Sequence, residues 1–139
     1  MPTDIQRGCG STRASLDLWG VRPWYLTDPD LLLAQLRVLI KKYELGERKV
    51  FVDKYEPFQG QPAGYEMLVT LEDSFILVET WPQGKPDSPS PEPYMMLIVQ
   101  LCNHSKDRSA DAPRVADEIQ GIVELPDTQF TRDVTKHGP

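Results

Sequence analysis

The sequence predicts an α+β domain, a two-layer sandwich in which an antiparallel β-sheet carries two helices packed on one face. Three observations point there. Six segments have the period or composition of strands, and only two have that of helices. Several of the strands are joined by short connections, which suit antiparallel neighbours. Apolar residues recur at helical spacing in both helices, so each has a stripe to bury against the sheet.

The elements follow in order. Met1 to Thr12 is polar, contains glycine and reads as the core of a disordered tail spanning residues 1–13. Residues 14–136 then form one domain. Ala14, Leu16 and Leu18 alternate with polar residues and predict a half-buried strand, which Pro23 ends. Asp28 can cap a helix and Pro29 suits its first turn. Leu32, Leu33, Leu36, Leu39, Ile40 and Tyr43 line that helix, Lys41 and Lys42 suit its negative end, and Gly46 is its expected stop. Lys49 to Tyr55 alternates again. After a Pro/Gly/Gln loop come two strands, Tyr65 to Leu71 and Phe75 to Trp81, which meet at Glu72-Asp73-Ser74. Pro82 to Pro93 carries five prolines and predicts a mobile surface loop. Tyr94 to Cys102 is an almost unbroken apolar run, suited to a strand buried on both faces. Asp111 opens a second helix with Val115, Ile119, Ile122 and Val123 at helical spacing, and Gln129 to Thr135 predicts a last strand before a frayed tail.

Composition excludes several classes. The chain has 139 residues and a net charge of −6, which argues against a phosphate-backbone binder and so against nucleic acid as a partner. No apolar stretch approaches the length of a membrane span, and no apolar core of a signal peptide follows Met1. Cys9 and Cys102 are the two cysteines, too few for a disulfide framework, and a reducing, cytoplasmic compartment is expected. The two histidines and two cysteines lack metal-ligand spacing, so no metal site is expected. With His104 in a loop and His137 in the tail, a hydrolytic triad is not expected either.

The stretch Asp73-Ser74-Phe75-Ile76-Leu77-Val78-Glu79-Thr80-Trp81-Pro82-Gln83 remains. It resembles the central motif of the prokaryotic S-adenosylmethionine decarboxylases, approximately Glu-Ser-His-x-x-x-His-Thr-Trp-Pro-Glu. The serine, the Thr-Trp-Pro and the distance between them match. The family follows this motif with a strand that ends in cysteine, the place that Tyr94 to Cys102 occupies here after a longer loop. Tyr55-Glu56-Pro57-Phe58-Gln59-Gly60 is similar to the family's Phe-x-Pro-x-Gly, with one residue more. The resemblance extends over roughly residues 14 to 136.

The resemblance implies a self-processing, pyruvoyl-dependent decarboxylase of polyamine metabolism. In such enzymes the serine hydroxyl attacks the preceding carbonyl and the chain splits. The serine becomes a pyruvoyl ketone, which takes the substrate amine as a Schiff base and serves as an electron sink. Carried over, Ser74 is the pyruvoyl precursor, Asp73 the new C-terminus and Cys102 the proton donor. The family's two histidines are replaced by Phe75 and Glu79, and the acid after Trp-Pro by Gln83. On a strand, Phe75, Leu77, Glu79 and Trp81 share one face. A carboxylate there is desolvated, its pKa rises, and Glu79 becomes a candidate general acid/base in place of histidine. Phe75 and Trp81 are the candidate substrate contacts. S-adenosylmethionine is the default substrate, with a basic amino acid such as arginine or ornithine as the variant. A homodimer is implied. The alternative is an unprocessed homologue that binds a small cation or partners an active paralogue.

Overall fold

The computed structural model describes residues 10–57, 59–104 and 106–138. Its elements are β1 Ser11–Trp19, α1 Trp24–Thr27, α2 Pro29–Lys42, β2 Glu47–Lys54, β3 Tyr65–Leu71, β4 Ser74–Trp81, β5 Tyr94–Cys102, α3 Asp111–Val123 and β6 Gln129–His137. The six strands form one sheet in the order β2-β3-β4-β5-β1-β6, antiparallel at every pairing. The predicted α+β sandwich with an antiparallel sheet is therefore the observed one. The alternation read from the sequence sets the layers. Ala14, Leu16 and Leu18 of β1, Met67 and Val69 of β3, Ile76 and Val78 of β4, and Leu97 and Val99 of β5 point to the helices and are buried. Leu32, Leu36 and Leu39 of α2 and Val115, Ile119 and Val123 of α3 close over them in one core. Each such side chain contributes about 1.5–3 kcal/mol by leaving water.

Several boundaries differ from expectation. β1 begins at Ser11, so Ser11, Thr12 and Arg13 are ladder residues opposite Cys102, Leu101 and Gln100, rather than part of a tail. β6 runs on to His137, which pairs with Ser11 and so lies in the sheet. Residues 1–9, Cys9 included, lie outside the described residues. A third, short helix, α1, follows Pro23. One turn of helix carries too little periodicity to be seen in sequence. Its carbonyls are taken up by side chains from the sheet: the Tyr65 hydroxyl donates to Tyr25 O at 2.6 Å and Thr80 Oγ1 to Leu26 O at 2.7 Å.

α2 stops before the expected Gly46. Leu45 N–H donates to Ile40 O and Glu44 N–H to Lys41 O, a Schellman ending with Leu45 buried beneath it. Glu44, at φ +55°, takes the left-handed position that glycine usually holds. Gly46, at φ +68°, is itself left-handed, where a side chain would be strained. A Cβ there would stand 2.5 Å from the side chain of Glu72. That close approach seats the β3–β4 turn against the end of α2, and Glu72 N–H donates to Gly46 O at 2.8 Å.

Candidate active site

β3 and β4 form a tight hairpin whose two turn residues are Glu72 and Asp73, with Leu71 paired to Ser74. The candidate cleavage bond thus lies at a hairpin corner. Ser74 has φ +154°, a region that residues with a side chain seldom occupy. β5 runs beside it, with Leu101 opposite Ser74. The backbone N–H of Cys102 donates to the carbonyl oxygen of Asp73. That oxygen belongs to the carbonyl a Ser74 hydroxyl would attack, so one peptide donor already polarises it. Cys102 itself is a half-buried free thiol. The structure therefore brings Asp73, Ser74 and Cys102 to one corner of the sheet.

It does not bring Glu79 there. Glu79 is five residues along β4, roughly 16 Å away at the rise of a strand. Phe75, Leu77, Glu79 and Trp81 share the face turned away from the helices, as their alternation with buried Ile76, Val78 and Thr80 requires. Phe75 lies at the Ser74 end, with the Arg13 guanidinium 5.9 Å from its ring centroid. Trp81 lies with Glu79 at the opposite end.

The Glu79 end has a character of its own. Glu79 stands opposite Glu66 across the β3–β4 pair. Burial, and then the Glu66 carboxylate, raise its pKa, while Lys85 and the Tyr55 hydroxyl hold it back. Burial, and then Glu79, push the Tyr55 phenol up to about 12. Trp81, Tyr94 and Trp19 form a continuous aromatic row, with neighbouring centroids 5.4 Å apart. The Tyr94 hydroxyl donates to Asp17, and burial followed by that bond raises its pKa. The Pro-rich loop folds back over this row. Trp19 Nε1 donates to Ser88 Oγ at 2.7 Å, and the Lys85 ammonium lies 5.2 Å from the Trp81 centroid and 5.4 Å from that of Tyr94. A cavity of about 290 Å³ remains between Asp17, Trp19, Lys85 and Tyr94. Aromatic faces with flanking carboxylates favour a cation. Sequence reasoning missed Glu66, Tyr55 and Asp17, which strand pairing brings to the Glu79–Trp81 end, and Lys85, which the fold of the Pro-rich loop brings there.

Thr80 of the Thr-Trp-Pro motif is structural. It is fully buried, accepts from Tyr65 N–H at 3.0 Å and donates to Leu26 O. Among the described residues no three His, Cys, Asp or Glu side chains gather as a metal site, and no helix is long and apolar enough to cross a membrane.

The family model described as S-adenosylmethionine decarboxylase matches residues 12–119. The chain belongs to the S-adenosylmethionine decarboxylase family. The matched span includes the hairpin corner, all of β4 and β5, and most of α3, and stops short of β6. Among solved structures, the adenosylmethionine decarboxylase from Aquifex aeolicus VF5 has a TM-score of 0.71 and 21% identity, with 94% of this chain and 92% of that one covered. At that identity the likeness is one of fold. No curated protein matches the sequence. In this chain one end of β4 holds Ser74, with Cys102 of β5 beside it, and the other end holds Glu79 and Trp81.

Proposed function

We propose that the chain is a self-processing decarboxylase that makes a pyruvoyl group from Ser74. Family membership and fold support a decarboxylase role in polyamine biosynthesis. The observation that carries the finer reading is the Asp73–Ser74 junction: a serine in a sparsely populated backbone conformation follows a carbonyl held by the Cys102 N–H. The residues fit the group they would generate. Ser74 Oγ adds to the Asp73 carbonyl carbon, and the oxyanion that forms is met by the Cys102 N–H. The C–N bond breaks and the hydroxyl proton ends on the nitrogen, leaving an ester. Loss of the Ser74 Cα proton then expels Asp73 as a carboxylate, and water releases the nitrogen as ammonia. The resulting ketone supplies an electron sink for decarboxylation. Cys102, on the neighbouring strand, is the group that returns a proton to the substrate carbon.

The Glu79–Trp81 end is the substrate-recognition end. Its rings and carboxylates suit a cationic amino-acid-type substrate, S-adenosylmethionine by family default and arginine or ornithine as the variant. A homodimer unites the two ends. Leu68, Leu77 and Ile98 form a half-buried apolar row at the centre of the open sheet face. A two-fold axis lying in that interface, perpendicular to the strands, sets the Ser74 end of one protomer over the Glu79 end of its partner.

Mass spectrometry of the purified chain tests processing. Two fragments are expected, Met1 to Asp73 and Ser74 to Pro139, the second blocked by pyruvoyl. Ser74→Ala is expected to stay whole. The Lys85 ammonium over Trp81 and Tyr94 favours one other reading, an unprocessed homologue that binds small cations at the aromatic row. A wild-type chain that stays intact on prolonged incubation decides for that reading.

A further inference from the structure

Arg108 stands in the loop between β5 and α3 and is only 2% exposed. Each nitrogen of its guanidinium has a partner. Nε donates to Asp73 Oδ2 at 3.0 Å. Nη1 donates to Tyr43 O at 2.7 Å and to Asp111 Oδ2 at 3.0 Å. Nη2 donates to Glu44 O at 2.8 Å. Its backbone is fixed as well: the N–H donates to Asn103 Oδ1 at 2.7 Å, and the carbonyl accepts from Asp111 and Ala112 at the start of α3. A guanidinium this deep is costly unless its charge and donors are matched. Two carboxylates and the carbonyls at the negative end of α2 match them here.

Three of these contacts tie the loop to the helices. The contact to Asp73 is different, because it reaches the acyl side of the candidate cleavage bond. Asp73 is 4% exposed, and its ion pair with Arg108 is buried on both sides. The residue is thus gripped twice, by the carboxylate through Arg108 and by the carbonyl through the Cys102 N–H. Its neighbour Glu72 is tethered through its own N–H to Gly46.

We propose that Arg108 is a positioning residue for self-cleavage, holding Asp73 so that its carbonyl carbon stays in the path of the Ser74 hydroxyl. The inference rests on the cleavage reading above. In the first step the Asp73 C–Ser74 N bond gives way to the Asp73 C–Ser74 Oγ bond, and any rotation of Asp73 moves the carbon under attack. A misplacement of about 1 Å at a reacting atom costs up to about a hundredfold in rate. In the second step Asp73 leaves with a new carboxylate, still held through its side chain by Arg108. The arginine also suits the particular residue here. Asp73 is one methylene shorter than the glutamate in the family motif, and a long, forked side chain from the loop can meet it.

The test uses the full chain and reads conversion of intact protein to the two fragments over time, by mass spectrometry. Arg108→Lys keeps the charge but loses the fork, and Asp111→Asn weakens the same buried hub without touching Asp73. Thermal unfolding of both changes is measured on the uncleavable Ser74→Ala chain. Arg108→Lys is expected to slow cleavage about tenfold or more, and Asp111→Asn by less than about threefold at comparable loss of thermal stability. Cleavage rates that simply follow stability in both variants, or an Arg108→Lys chain that cleaves at the wild-type rate, would overturn the positioning role. A wild-type chain that never cleaves overturns the self-processing reading itself, an outcome distinct from either of these.

Discussion

Glu79 shows how a single residue takes its chemistry from its neighbours. Its pKa is raised by burial first and by Glu66 second, against the pull of Lys85 and Tyr55. A carboxyl whose folded pKa lies above its unfolded one gains a proton on folding between the two values. Stability from this group is therefore present below the unfolded pKa and is lost as pH rises through the folded one. Glu79→Gln removes that loss. The variant is expected to melt above the parent at about pH 7 to 8, with the difference closing near about pH 4. Melting curves across that range check it, and a gap independent of pH would contradict it. Strand alternation alone implied the desolvated face of Glu79. The presence of Glu66 opposite it follows from the two-residue turn at Glu72-Asp73, which sets the hairpin register, whereas the sequence pattern had placed Ser74 in the connection as well.

At the scale of elements, the corner between β3 and β4 is built from three directions: the end of α2, the loop before α3, and β5. The sequence marks the corner by its short polar residues, Asp73 and Ser74. It gives no sign of Arg108, thirty-five residues further on and one of several charges in a polar loop. Burial distinguishes that arginine from its neighbours, and burial of a loop side chain depends on packing. The end of α2 gives a direct test. Glu44 holds a left-handed conformation that costs a residue with a side chain about 1–2 kcal/mol. Glu44→Gly relieves it, keeps the carbonyl that Arg108 uses, and is expected to stabilise the fold by about 0.5–1 kcal/mol. Denaturant unfolding of the Ser74→Ala chain measures the change, and destabilisation would count against the Schellman reading of this helix end.

For the whole molecule, the length of β4 holds its two ends roughly 16 Å apart, from Ser74 to Glu79, on one protomer. The Ser74 corner faces the start of β1, whereas Glu79 and Trp81 lie toward its end, near Asp17 and Trp19. The proposed homodimer makes the site a composite of two protomers. Mixing Ser74→Ala with Glu79→Gln protomers, each inactive alone, is expected to restore decarboxylation to about one quarter of wild type, from one complete site per mixed dimer. Sedimentation checks the assembly. A monomer, or a mixture that stays inactive, would rule the arrangement out.

What the sequence by itself determined was the class of fold, nearly every element, the inward face of β1 and of both long helices, and the corner at Asp73-Ser74; β5, expected to be buried on both faces, is fully buried on one and half-buried on the other. Fold class, faces and corner follow from local periodicity and from residues at fixed chain spacing, both of which survive without knowledge of the fold. Only the tertiary structure decided that β1 lies between β5 and β6, that Lys85 sits over Trp81 and Tyr94, and that Arg108 grips Asp73. The strand order and the Arg108–Asp73 pair join residues distant along the chain, and the path of the Pro-rich loop depends on the rings it covers. Such contacts arise from the sheet order that buries the helix-facing apolar side chains at once, a property of the whole chain that no segment contains.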